Sequence, residues 1–107
     1  MALYRLYTGD DGQSHLEELS LASPPEITEP QAATSIVFRE AAAGQFLDWH
    51  PAPRRQYIVQ LAGEVEIGLG DGSRVRYRPG DARLVEDTTG QGHTTRVIGD
   101  QSSVTAT

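Results

Sequence analysis

Short runs rich in Val, Ile, Leu and Tyr recur along this chain, and each is cut off by Gly, Asp or Pro before it could complete three helical turns. Such punctuation selects strands joined by tight turns. The runs fall at 36–39, 56–61, 65–69, 73–78, 82–86 and 93–97, with further candidates at 4–7 and 15–21. Only Glu40 to Ala43 has helical composition, and that is too short to repay helix nucleation, so it reads as a turn. Pro24, Pro25 and Pro30 mark an irregular segment before the main β region. The expected class is all-β.

The central runs can be set in register, which matters because a slip of one residue turns every side chain over. Joining 65–69 to 73–77 through Gly70-Asp71-Gly72 places Val65 opposite Tyr77, Glu66 opposite Arg76 and Ile67 opposite Val75. This three-residue loop, with a glycine in the left-handed conformation, keeps the apolar face together; a two-residue turn would mix the faces. For the preceding pair, a two-residue turn at Ala62-Gly63 puts Ile58 and Gln60 on the face of Val65 and Ile67. Tyr57, Val59 and Leu61 then form an outward apolar row, for which a sheet-to-sheet homodimer is the expected cover. A three-residue turn would bury that row and leave Gln60 outside.

A chain of 107 residues has core enough for one domain. It divides into N-terminal strands and an irregular arm (1–32), a main β unit (33–97) and a C-terminal tail or last strand (98–107). The formal charge of -6 argues against nucleic acid and anionic membranes, which need clustered positive charge. No segment has the make-up of a signal peptide or a membrane helix, so a cytoplasmic protein with a small-molecule ligand is expected. The absence of cysteine removes thiol nucleophiles, disulfides and thiolate metal sites. All 9 basic side chains are arginine, so no lysine can form a Schiff base. Chemistry is left to 3 histidines, 15 carboxylates, hydroxyls and amides.

The segment from Gly44 to Gly63 resembles the first cupin motif. That motif runs Gly, five residues, His, one residue, His, three or four residues, Glu, six residues, Gly; Gly44, His50, Ala52, Gln56 and Gly63 stand at its positions, with two of the three ligand slots changed. Arg78-Pro79-Gly80-Asp81 looks like the turn that introduces the second motif. Its histidine slot falls by count on Gln91, and His93 becomes the equivalent through a small insertion within 88–92; the asparagine of that motif has no counterpart. The resemblance covers 33–97 and implies a cupin-type jelly-roll β-barrel with a ligand cavity. It also implies a divalent transition metal (iron, zinc, nickel or manganese) at His50, Gln56 and His93, or no cofactor at all.

Strand parity agrees with the motif, because His50, Ala52, Arg54, Gln56, Ile58 and Gln60 alternate onto one face. Pro51 and Pro53 restrict this stretch to an edge or a loop. As a metal set the three residues are poor: Gln56 does not neutralise a cation, and Ala52 offers no donor. Asp48 or His15 would have to complete it. The alternative is that His50 and His93 are buried polar groups bonded to Gln56, Gln60 or water. Arg54 is either an inward receptor for a carboxylate or enolate beside the histidines, or solvated, as Arg55 is expected to be. The catalytic candidates are thus His50, His93 and Arg54, and the expected pocket residues are Phe46, Ile58, Gln60 and Tyr77. Trp49 points away from the cavity by parity. Glu86 and Asp87 are expected to be solvated, and the glycine-rich stretches do not form phosphate loops.

Two function classes follow. One is an enzyme acting on a polar carbonyl- or carboxylate-bearing metabolite, with a metal or with a histidine as acid or base. The other is a non-catalytic binding or sensor module, or a dimerisation scaffold.

Overall fold

A computed structural model of the chain describes residues 1–21 and 29–107. Pro24 and Pro25 lie outside the described residues. The described residues form ten strands: β1 (Leu3–Thr8), β2 (Ser14–Leu19), β3 (Phe38–Ala41), β4 (Phe46–His50), β5 (Gln56–Ala62), β6 (Glu64–Gly68), β7 (Arg74–Tyr77), β8 (Ala82–Glu86), β9 (His93–Ile98) and β10 (Ser103–Ala106). They form a six-stranded sheet, ordered β2-β1-β8-β5-β10-β3, and a four-stranded sheet, ordered β4-β9-β6-β7. Among the described residues only β1 and β8 pair in parallel. Among the described residues no ladder joins the two sheets.

The β6–β7 hairpin has the expected register, with Val65 opposite Tyr77, Glu66 opposite Arg76 and Ile67 opposite Val75. Its loop closes through Leu69 N–H to the Ser73 carbonyl at 3.0 Å, and Gly72 takes φ +88°. The preceding hairpin does not exist. β5 pairs with β8 and β10, whereas β6 pairs with β7 and β9, so the chain crosses between sheets at Gly63. A Cβ on Gly63, whose φ is +68°, would overlap the Ser102 carbonyl oxygen. The parity argument survives this correction because both sheets turn the same residues toward the common interior.

That interior holds Leu6 and Val85 from one sheet and Val65, Ile67, Tyr77 and Val97 from the other, together with Ala52 and Leu69. Each large apolar side chain removed from water here contributes roughly 1.5–3 kcal/mol. The outward row on β5 is present as well: Val59 and Leu61 are exposed, and the Tyr57 hydroxyl bonds to the Gln31 side chain. β4, absent from the sequence-based set, and β10, within the stretch expected as a tail or last strand, complete the sheets. Glu40 and Ala41, expected in a turn, belong to β3, and the turn follows at 42–45, where Gln45 N–H donates to the Ala42 carbonyl. Gly44 and Gln45 dock this turn on Val97 of β9, bringing β3 and β4 together at one mouth of the sandwich.

Candidate functional site

Two polar sites lie in this sandwich, and the first is the histidine pair. β4 pairs with β9 so that Leu47 faces Thr95 and His50 faces His93, three residues on one strand against two on the other. This bulge turns His50 inward. The two rings sit 4.6 Å apart between centroids, tilted by 58°. Gly92 permits the approach, since a Cβ there would overlap the His50 carbonyl.

His93 Nδ1 donates to Asp87 Oδ2 at 2.5 Å, and Ser14 Oγ donates to the same oxygen at 2.6 Å. Asp87 is fully buried, and among the described residues its Oδ1 has no hydrogen-bond partner. Its expected solvation is corrected here: beyond the end of β8 it continues the inward parity of Val85 and meets groups from β2 and β9. His50 Nδ1 donates to the Asp48 carbonyl at 2.6 Å. Both Nδ1–H groups are therefore occupied, which in the neutral form leaves the Nε2 lone pair on each ring.

The other proposed members do not join this pair. Gln56 is on the facing sheet opposite Val85, and Ala52 is packed in the core. The Asp48 carboxylate caps Trp49 N–H, and His15 pairs with Asp11 beside the β1–β2 turn. Arg54 is exposed in the segment between β4 and β5, so it is not the guanidinium that enters the fold. Glu86 is gripped by Arg5 at 2.7 Å and Arg55 at 2.8 Å. Among the described residues no group of three His, Cys, Asp or Glu side chains could hold a metal ion. Two imidazoles and a neutral amide, with no carboxylate or third histidine grouped with them among the described residues, do not fit a divalent cation.

The second site was not foreseen. Between the sheets, at the β3–β4 mouth, lies a cavity of about 450 Å³ bounded by Arg39, Leu47, Val65, Arg83, Thr95, Val97, Ser103 and Thr105, with Glu40, Ala41 and Gln45 completing its wall. Arg83, on β8, is only 6% exposed, and among the described residues its Nη1 has no hydrogen-bond partner. Its guanidinium carbon lies 4.5 Å above the Tyr77 ring. Burial pushes its pKa down, with Tyr77 acting in the opposite sense. No carboxylate lies within 4.0 Å of it among the described residues, in a chain where acids outnumber bases by 15 to 9.

No family model matches this chain, and no curated protein matches it. The site must be read from its own atoms.

None of the four expected pocket residues touches this cavity, but two stand behind its wall. Tyr77 carries Arg83 on its ring, and Gln60 Nε2 donates to Ser103 Oγ at 2.8 Å. Ile58 packs against the core, and Phe46 lies on the outer face beneath the Arg96 guanidinium. Arg83 was missed because β8 is buried along most of its length, leaving no polar face from which parity could be read. Chemically, the cavity presents one desolvated cation, hydroxyls from Ser103, Thr95 and Thr105, and an apolar floor of Leu47, Val65 and Val97.

Proposed function

We infer that this protein is a cytoplasmic, small-molecule-binding domain of cupin-type jelly-roll architecture, and that a carboxylate-bearing metabolite seats on Arg83 between its sheets. The observation that carries this reading is a buried guanidinium that lines a cavity and, among the described residues, has no carboxylate within 4.0 Å. A buried charge without a counter-ion is costly, and a carboxylate bound on the cavity side of Arg83 would supply one. The volume suits a small metabolite. Titration calorimetry with butyrate and its uncharged amide is the test. Binding of the acid alone, lost in Arg83→Met, supports the reading; equal binding of acid and amide removes it.

A second reading, acid–base catalysis, is favoured by the Asp87–His93 pair beside His50. Asp87 orients His93 through Nδ1 and leaves Nε2 to take up or deliver a proton. Under this reading His93→Gln loses turnover of a bound ligand while retaining its affinity. The homodimer expected from the β5 row belongs to either reading, and Leu61→Glu should convert it to a monomer in size-exclusion chromatography.

A further inference from the structure

Arg39 faces the same cavity as Arg83 and also lacks a carboxylate within 4.0 Å among the described residues. Five other arginines, Arg5, Arg55, Arg74, Arg76 and Arg78, each lie within that distance of one. Arg54 and Arg96 also have no carboxylate within that distance among the described residues, Arg54 being exposed and Arg96 lying over the Phe46 ring; Arg39 and Arg83 differ from them in lining one cavity.

Their placement across the six-stranded sheet is set by register. Arg39 on β3 is opposite Thr105 on β10, Thr105 is opposite Gln60 on β5, and Ile58 of β5 is opposite Arg83 on β8. The two arginines thus stand three strand spacings apart and two residues out of line, about 16 Å between backbones, and both residues line the shared space. Arg83 is deep and Arg39 is at the exposed edge strand. Glu40, the one acid in the wall, alternates with Arg39 along β3 and lies at the rim, so the lining keeps a net positive charge. Leu47, Val65 and Val97, from the facing four-stranded sheet, give the cavity its apolar side.

We propose that the ligand of this cavity is a short dicarboxylate held at both ends, one carboxylate on Arg83 and the other on Arg39, with its methylene chain on Leu47, Val65 and Val97. This rests on the carboxylate reading of Arg83 and adds the second anchor. Arg39 acts as the specificity-determining residue: it admits monocarboxylates but rewards a second negative end, through a charge-assisted hydrogen bond in a partly solvated position.

The test is calorimetric titration of wild type, Arg39→Gln and Arg83→Met with butyrate, succinate, glutarate and inorganic phosphate, with circular dichroism to establish that each variant folds. Wild type should prefer glutarate or succinate to butyrate by about tenfold, roughly one such interaction, and Arg39→Gln should bring the acids within about twofold of one another. Equal wild-type affinity for butyrate and the dicarboxylates overturns the second anchor and leaves Arg83 binding intact. A dicarboxylate preference that persists in Arg39→Gln, or phosphate binding as tight as glutarate, also overturns it, since neither requires a ligand that spans the cavity. Failure of every acid to bind folded wild type overturns the Arg83 reading and this proposal with it.

Discussion

Asp87 and His93 share a 2.5 Å hydrogen bond in which neither side chain is more than 8% exposed. Ser14 bonds to the same carboxylate oxygen, so three strands or strand ends meet on one acid. Asp87→Ala should destabilise the fold by about 3 kcal/mol, because it strands a buried imidazole and hydroxyl together. Urea denaturation measures this, and Ser14→Ala should cost less, about 1 kcal/mol. Equal effects would mean that the His93 bond contributes nothing beyond the hydroxyl.

Arg83 should behave in the opposite way. Its charge is buried without a counter-ion, stabilised chiefly by the Tyr77 ring. Arg83→Met keeps most of the volume, removes the unpaired charge and forfeits the cation–π contact, so ligand-free protein should gain about 1 kcal/mol. A rise in melting temperature together with loss of carboxylate binding is the expected result in differential scanning calorimetry. Stability sacrificed at a position is a mark of function there.

Glu86 links stability to pH. Burial raises its pKa, but hydrogen bonds from Arg5 and Arg55 outweigh this and hold it below the ordinary glutamate value. A group with a depressed folded pKa contributes stability above its unfolded value, and that contribution is lost as pH falls through the folded pKa. Both arginines are partly solvated, at 39% and 56% exposure, so the effect should stay under about 1 kcal/mol. Glu86→Gln should therefore lower stability at pH 7 and flatten the loss seen on acidification below about pH 4.5.

Gly92 governs the histidine pair through its backbone. With φ at +77° and no room for a Cβ beside the His50 carbonyl, Gly92→Ala should cost about 2–4 kcal/mol. Histidine ring resonances followed by NMR should show the His50–His93 proximity lost. Gly12→Ala, at φ +74° with open space around it, should cost markedly less.

The sequence alone determined what local chemistry can specify. Alternating apolar runs and turn residues settled the all-β class, and the Gly70-Asp71-Gly72 loop settled the β6–β7 register, because both depend on neighbours a few residues away. The inward parity of Gln60 and the approach of His50 to His93 were legible through strand periodicity and motif spacing. Tertiary structure decided the rest. Gly63 in a left-handed conformation serves a hairpin or a crossover equally well, and only the pairing of β5 with β8 and β10 selects the crossover. Asp87 looked solvated because its partners come from β2 and β9. Arg83 gave no local signal, since a strand buried on both faces carries no alternation to read, and a cavity between sheets exists only once distant strands have packed.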